Sequence, residues 1–373
     1  MGAFAAPDRQ LVFSINDFDE TLPGPFEWDV KRLVASFAVA GRERDFPPDK
    51  RRMIERSAAQ TYREAMRSFA AMGTLDLWYT RLDVDEMLRR WGREAAAEDA
   101  RNFRRARRKA ESKDSLRALS KLTRVVDGRP QFVSEPPLVV RLDELFGPEE
   151  AARFTGQVGT LVRSYTSTLS TDRRRLVERF RFTDIARKVV GVGSVGTRAW
   201  VVLMLGRDDD DPLLLQFKEA QPSVLEPYLG SSGYGHHGRR VVEGQRLMQA
   251  ASDVLLGWQR TAGFDGLSRD FYVRQLWDRK GSAVIELMSP RAMYLYASAC
   301  GWTLARAHAR SGDAVAIAAY LGSGTTFDRM MADFAEAYAD QNEHDHRSLR
   351  FDRGRWCGWI GLGGHPHARI ASS

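Results

Sequence analysis

Residues 188–204 read Lys-Val-Val-Gly-Val-Gly-Ser-Val-Gly-Thr-Arg-Ala-Trp-Val-Val-Leu-Met, a glycine-rich loop between two apolar stretches. The residues after the loop are apolar and partly β-branched, which predicts a strand rather than a helix. A dinucleotide-binding fold needs a helix at this point, because the helix N-terminus faces the pyrophosphate. The stretch therefore predicts two strands joined by a glycine loop, and it disfavours a dinucleotide-binding fold.

The glycine loop is the first candidate binding element. A strand, a glycine loop and a second strand form the arrangement with which kinases cover nucleotide phosphates. Gly191, Gly193 and Gly196 would let backbone N–H groups come close to phosphate oxygens, and Ser194 lies among them. We therefore predict that these four residues contact the phosphates of a nucleotide.

The next apolar strand, predicted over residues 213–220, carries Lys218 near its end. A fixed cation at this point would neutralise phosphate charge, and in kinases a glutamate on the following helix holds such a lysine. Here that helix carries Glu243, whereas Glu219 points to the opposite face of the strand because side chains alternate. The alternative is a β-hairpin with a surface lysine and an exposed Glu243.

A second candidate site lies near the N-terminus, where residues 11–19 predict a strand that ends in acidic residues. Asp17 and Asp19 lie on the same side of an extended chain, so both could face one metal ion. Carboxylates together with phosphate oxygens suit Mg²⁺, which is a hard cation. The alternative is an acidic turn after a strand, and Asp29 could brace the region through hydrogen bonds.

The basic residues do not by themselves indicate a nucleic-acid partner. The net charge is +7, and the densest basic run lies between Arg101 and Lys113. This run lacks the interleaved aromatic residues on which bases stack, so we interpret it as the solvated face of a helix. A nucleic-acid-associated protein therefore ranks below the nucleotide-binding interpretation of the glycine loop.

Other residues exclude several classes of protein. Cys300 and Cys357 cannot form a disulfide framework or a zinc site alone, so a reducing cytoplasm is the expected location. No apolar run approaches the ~20 residues of a membrane span, which predicts no membrane partner. His308 lies in a helical pattern, and a buried, hydrogen-bonded histidine is favoured there over a catalytic one.

The order of predicted elements indicates an α+β protein of 373 residues, long enough for two lobes or domains. A helical block comes first, a strand-rich block follows from about residue 184, and helices return at about 290. The glycine and prolines of residues 127–137 predict a loop, and residues 229–238 predict a mobile loop. Asp49 is predicted to cap a long helix, and residues 350–373 to form an irregular tail.

Several stretches together resemble the bacterial domain-of-unknown-function family 2252. They are residues 12–20, 28–33, 120–122, 191–198, 216–220, 272–276, 304–312 and 338–341, and the resemblance spans about residues 3–345. That family is distantly similar to kinase-like folds of the aminoglycoside-phosphotransferase type. The resemblance implies a two-lobed kinase-like fold in circularly permuted order, because the candidate metal ligand Asp17 precedes the glycine loop.

In this interpretation the chain divides into four parts. A metal strand and most of a helical lobe span residues 1–183, and a smaller antiparallel-sheet nucleotide lobe spans 184–289. Helices at 290–345 return to the helical lobe, and 346–373 form the tail.

The resemblance also implies roles for the candidate residues. Lys218 and Asp17 would be catalytic, the glycine loop with Lys218 and Glu243 would bind ATP, and Asp17 with Asp19 would hold Mg²⁺. The acceptor, a small molecule or a protein, is unknown. Family members carry a Gly-Asp-x-His segment just before the equivalent of Val12, and this chain begins where that segment should end. We therefore expect weak or absent phosphate transfer, and the alternative is a non-catalytic nucleotide-binding or interaction protein.

Overall fold

A computed structural model describes residues 1–91, 97–111, 115–189, 197–262, 266–276, 281 and 283–360. The strands are β1 Gly2–Ala5, β2 Leu11–Ser14, β3 Leu82–Asp83, β4 Thr123–Val126, β5 Arg129–Phe132, β6 Val139–Arg141, β7 Arg181–Lys188, β8 Ala199–Leu205, β9 Pro212–Ala220, β10 Gly257–Ala262 and β11 Ser268–Gln275. The helices are α1 Phe26–Glu43, α2 Pro48–Ala70, α3 Thr74–Tyr79, α4 Val84–Trp91, α5 Ala97–Glu111, α6 Ser115–Leu122, α7 Leu142–Phe146, α8 Pro148–Thr166, α9 Thr171–Val177, α10 Glu226–Leu229, α11 His237–Met248, α12 Pro290–Ser311, α13 Ala314–Leu321 and α14 Thr326–Ile360.

The largest sheet has six antiparallel strands in the order β10-β11-β9-β8-β7-β6. Its centre, β8 and β9, is buried on both faces, which explains the continuous apolar runs in the sequence. Side chains on β9 alternate between the faces, so Phe217 joins the core beneath α8 while Lys218 points the other way. The two faces of this sheet therefore carry different chemistry.

Helices α1, α2, α12 and α14 build a second core, to which α4, α13 and the short strands add. Helix α12 packs closely on α2 at Gly301, where an added Cβ would lie 2.2 Å from the carbonyl oxygen of Ala58. Glycine and alanine at such a crossing let two helix backbones approach each other. Helix α12 also contacts α11, and so links this core to the six-stranded sheet.

Strands β1, β2 and β3 form a small antiparallel sheet beside the helical core. Its first strand is fixed by two backbone hydrogen bonds between Ala3 and Gly281, of 2.9 and 2.8 Å. The chain leaves this sheet at Ser14 and runs through the acidic segment, residues 15–20, toward the larger sheet. The small sheet therefore sets the direction in which the acidic segment departs.

The α+β class expected from the sequence is confirmed. Three local predictions differ from the structure. Strand β5 lies within the predicted loop 127–137, and Pro47 is the N-cap of α2, whereas the predicted cap Asp49 lies in the first turn. Helix α14 continues through Ile360 into the predicted irregular tail. Pro130 is tolerated because β5 is an edge of a two-stranded ribbon. Residues 361–373 lie outside the described part.

In the described ranges, no helix combines the length and the apolar character needed to cross a bilayer.

Candidate functional site

The acidic segment is anchored by the aromatic residue between its two aspartates. Phe18 is buried in a small apolar cluster with Val242 of α11 and Tyr272 of β11. Upstream, the Gln249 side chain donates a 2.6 Å hydrogen bond to the carbonyl oxygen of Ile15. Because Phe18 points into the core, its neighbours on either side are held at the surface of the six-stranded sheet.

Lys218 and Asp19 form an ion pair at this surface. The Lys218 side chain is only 12% exposed, so the alternative of a surface lysine does not describe it. Tyr272 lies directly opposite Lys218 in the β9–β11 register and donates a 2.8 Å hydrogen bond to Oδ1 of Asp19. The Asp19 carboxylate therefore uses Oδ2 for Lys218 and Oδ1 for Tyr272.

The environment of Tyr272 keeps its hydroxyl protonated. Burial raises the pKa of Tyr272, the positive charge of Arg274 opposes this, and the negative charge of Asp19 adds to it. The Arg274 guanidinium lies 5.7 Å from the centre of the Tyr272 ring, and it donates a 3.0 Å hydrogen bond to Gln216. A protonated phenol is the form that can donate to Asp19.

Arg240 of α11 clamps the backbone after the acidic segment. Arg240 is 2% exposed, and its guanidinium donates to the carbonyl oxygens of Thr21 at 2.7 Å, Asp19 at 2.8 Å and Gln221 at 2.9 Å. Burial lowers the pKa of Arg240, and the charge of Glu20 is the largest effect that opposes it. One arginine thus ties the acidic segment to the end of β9.

A close approach of α11 makes this clamp possible. At Gly244 an added Cβ would lie 2.5 Å from both Cγ2 and Oγ1 of Thr21. Any larger residue would push α11 away from the segment that Arg240 holds. On the other side, Ser223 donates to the carbonyl oxygen of Glu20 at 2.9 Å, and the Val224 amide donates to the Glu20 carboxylate at 2.8 Å.

The predicted partner of Lys218 differs from the one in the structure. Glu243 lies on α11 and pairs with Arg246 of the same helix at 3.5 Å, while Lys218 pairs with Asp19. The two residues Glu243 and Arg246 are one helical turn apart, so a local pair satisfies that carboxylate. The role of Glu243 in binding a nucleotide stays a prediction.

The other predicted residues are placed as follows. Asp17 is exposed beside the ion pair, close enough for its charge to contribute to the raised pKa of Tyr272.

Residues 190–196, which include Gly191, Gly193, Ser194 and Gly196, lie outside the described part. The strands on either side of them are present: β7 and β8 are adjacent and antiparallel, with Arg187 paired to Trp200. The loop therefore joins neighbouring strands of the same sheet.

The side chains suit Mg²⁺ only in part. Across the described ranges, no three or more histidine, cysteine or acidic side chains are grouped as metal ligands. Asp17 and Asp19 are carboxylates of the right type, but both oxygens of Asp19 accept bonds from the protein. Of the two predicted ligands, Asp17 is the one whose carboxylate is exposed to an incoming ion.

His308 is buried and hydrogen-bonded in the helical core, as predicted. Its ring nitrogens lie 2.8 Å from the Tyr62 hydroxyl and 3.1 Å from the Asp29 carboxylate. Asp29 therefore braces α1 against α12, whereas the sequence predicted that it would brace the acidic segment. In the basic run of α5, Arg107 pairs with Asp85 and Glu111.

Tyr272 and Arg240 belong to the site although no sequence motif marks either of them as a site residue. Tyr272 lies in an ordinary strand pattern, and only the register of β9 with β11 places it opposite Lys218. Arg240 is one of many arginines, and its burial follows from the packing of α11. The glycine at position 244, inside an otherwise helical pattern, was the available signal of a close approach.

The structure thus defines an α+β protein with a lysine–aspartate pair where an N-terminal acidic segment meets the central sheet. Comparison with protein-family models matches residues 1–352 to the family described as "Uncharacterized protein conserved in bacteria (DUF2252)". The chain belongs to this family. Neither the curated proteins nor the solved structures gave a match in the same comparison.

Proposed function

We propose that this protein binds ATP with Mg²⁺ at the Lys218–Asp19 pair and transfers phosphate to an acceptor that is a small molecule or a protein. The observation that carries the proposal is the contact between Lys218 and Asp19. It joins the strand after the glycine-loop hairpin to an acidic segment 199 residues away in sequence. The pair thereby brings Asp17, the candidate metal ligand two residues before Asp19, close to the phosphate-binding cation. Phosphoryl transfer needs such a cation and a metal ion at one point.

The residues of the site have distinct tasks in this proposal. Phosphoryl transfer depends mainly on positioning and charge neutralisation. Lys218 supplies a fixed positive charge for the phosphates, and Tyr272 and Asp19 hold its side chain in place. Arg240 holds the backbone of the acidic segment, so that the distance between Asp17 and Lys218 stays constant. Mg²⁺, when bound, would neutralise charge on the phosphate oxygens.

We assign the metal mainly to Asp17 and the orientation of Lys218 to Asp19. Asp17 is exposed beside the pair, whereas both carboxylate oxygens of Asp19 are already engaged. Removing the Asp17 charge should therefore weaken metal-dependent binding. Removing the Asp19 charge should free Lys218 and weaken the contact with phosphate whether or not Mg²⁺ is present.

Calorimetric titration with ATP, in the presence and absence of Mg²⁺, tests this proposal. The native chain should bind MgATP, and Lys218→Met should weaken binding by roughly 10- to 100-fold because a charge-assisted contact is lost. Asp17→Asn should abolish the gain that Mg²⁺ provides. Lys50→Met, at an exposed lysine on α2, is the matched control and should bind as the native chain does. Equal binding by Lys218→Met and the control would refute the site.

Turnover separates the proposal from a non-catalytic nucleotide-binding protein, which the same contacts would also serve. ATP consumption should be measured with a panel of hydroxyl- and amine-bearing small molecules and with protein extract as acceptor. Consumption that Lys218→Met abolishes supports a phosphotransferase. Tight MgATP binding without turnover under every condition favours the non-catalytic protein.

A further inference from the structure

We propose a second ligand site, for an aromatic organic anion, on the face of the six-stranded sheet opposite Lys218. A cavity of about 370 Å³ lies there between α8 and strands β7 to β11. Phe217 lines it, and because neighbouring side chains on β9 point to opposite faces, Lys218 does not. The cavity is therefore separate from the proposed nucleotide site. The proposal of a second site does not depend on the proposed function.

The walls of the cavity are aromatic. Trp200 contacts two other aromatic side chains of the lining. The centre of its ring lies 6.4 Å from that of Phe146, in a stacked arrangement, and 5.7 Å from that of Phe154. Phe271 and Phe217 continue the wall along the sheet. Protein interiors are normally packed without voids of this size, and pockets that bind organic molecules begin at about 300 Å³. The walls suit a flat aromatic body.

The charged residues of the lining are all arginines, namely Arg187, Arg198 and Arg269. Arg198 and Arg269 both contact the buried carboxylate of Glu219, at 3.4 and 3.7 Å, so one negative charge is shared between two guanidinium groups. Arg187 adds a third guanidinium group to this wall. Guanidinium groups beside an apolar cavity favour an anionic head group.

Two buried polar atoms of the lining point to a missing partner. Gln259 is 4% exposed, and its Oε1 accepts no hydrogen bond from the described residues. The Nε of Arg187 is likewise buried and donates to none of them. Buried polar groups in folded proteins are nearly always paired, and leaving one unpaired is costly. A ligand with an acidic group for Arg187 and a hydroxyl or N–H group for Gln259 would satisfy both.

The ligand class is therefore an aromatic acid, either a carboxylate or a phosphate monoester, that carries a hydrogen-bond donor. The probe is 6-hydroxy-2-naphthoate, titrated into the full chain and followed by calorimetry. 2-Naphthol retains the ring and the hydroxyl but lacks the anion. 6-Hydroxy-2-naphthyl phosphate keeps both the ring and the hydroxyl, and so distinguishes the two head groups. We expect saturable binding of at least one of the two anions, and binding of 2-naphthol at least tenfold weaker.

Variants assign the binding to this cavity. Arg187→Met should weaken binding of the anion by roughly 10- to 100-fold, and Leu161→Trp should abolish it by filling the space from α8. Leu161 is only partly buried, so the larger ring can enter the cavity with the fold retained, which thermal unfolding checks. Arg153→Gln, at an exposed arginine of the same helix, and Lys218→Met should both bind like the native chain.

The proposal fails if neither anion binds at millimolar concentration. It also fails if Arg187→Met and Leu161→Trp, both folded, bind as the native chain does. Equal affinity for 2-naphthol and the anions would overturn the anionic class. Loss of MgATP binding in Lys218→Met with intact naphthoate binding, together with the reverse in Leu161→Trp, would show that the two sites are separate. A native chain that binds one ligand and not the other would show which of the two proposals fails.

Discussion

Lys218 of β9 and Asp19 of the acidic segment form an ion pair that joins the two ends of the site. Neither residue is near the other in sequence, and each is held by its own element: Lys218 by a strand in the middle of the sheet, Asp19 by the clamp of Arg240. The pair therefore depends on the whole fold. The contribution of each surrounding residue to the stability of this arrangement can be measured by substituting that residue.

Tyr272→Phe removes a single hydroxyl from this arrangement. The variant should lose about 1–3 kcal/mol of unfolding free energy, because the Asp19 carboxylate loses a hydrogen bond from a buried donor. Chemical denaturation measures this loss. Tyr228→Phe, at an exposed tyrosine, is the control and should leave stability unchanged. No loss for Tyr272→Phe would contradict the position of its hydroxyl.

Arg240→Met should be among the most destabilising changes in this region. The variant leaves three carbonyl oxygens without their donor, and we expect a loss of roughly 2–4 kcal/mol. Arg239→Met tests the same substitution at the exposed neighbouring position, whose guanidinium lies over the rings of Tyr234 and Trp258, and should cost about 1 kcal/mol or less. Thermal unfolding of the two variants compares them. Similar losses would show that Arg240 does not clamp the acidic segment.

Gly244→Ala tests the close approach of α11. The new Cβ would overlap the Thr21 side chain, so the variant should lose about 1–3 kcal/mol despite the better helix propensity of alanine. Thr21→Ala removes the two atoms at 2.5 Å, and in the double variant it should restore part of the loss. Gly156→Ala, on α8 with open space around it, should instead stabilise by about 0.5–1 kcal/mol. A stabilising Gly244→Ala would refute the contact.

The carboxyl groups of Glu55 and Glu336 should make stability depend on pH. Glu55 is fully buried, and burial raises its pKa from 4.5 to about 8. Burial opposes the charged form of Glu336, but hydrogen bonds from Arg51 and Arg42 outweigh it and lower that pKa to about 2. The contribution of Glu55 is thus fully present below pH 4.5 and is lost as the pH rises toward 8. That of Glu336 is lost below 4.5.

Glu55→Gln should therefore change the pH profile of stability in a defined direction. Between pH 5 and 8 its advantage over the native chain should grow by up to about 1.4 kcal/mol for each pH unit. Denaturant unfolding at several pH values measures this difference. Glu64→Gln, at an exposed glutamate of the same helix, should follow the native profile. A constant difference between Glu55→Gln and the native chain would contradict the raised pKa.

The sequence predicted those helices and strands whose burial follows from the pattern of apolar residues along the chain. Strand β9 is apolar through Leu213, Leu214 and Leu215 because both of its faces are buried, and such a run identifies a central strand. The same holds for β8 after the glycine loop. Helical periodicity between Trp28 and Ala40 likewise predicted α1. The face that is buried, however, carries Val30, Val34 and Phe37, while Trp28 is 40% exposed.

Contacts between distant segments could not be read from such patterns. By analogy with kinases, we predicted that Glu243 pairs with Lys218. The partner in the structure is Asp19, and this pairing depends on where the acidic segment crosses the sheet. Strand β5 was missed because Pro130 disfavours a strand, a preference that pairing with β4 overrides. The charge and spacing of Asp17 and Asp19 did predict a site, and tertiary packing determines how its two aspartates divide their tasks.

Affinity labelling of lysines tests the central claim most directly. An acyl-phosphate derivative of ATP transfers its acyl group to lysines that lie beside the bound phosphates, and peptide mass spectrometry identifies them. Lys218 should be labelled first, and excess MgATP should protect it, while the exposed Lys50 should react slowly and without protection. Labelling spread over surface lysines, with Lys218 unreacted or unprotected by MgATP, would contradict a nucleotide site at the Lys218–Asp19 pair.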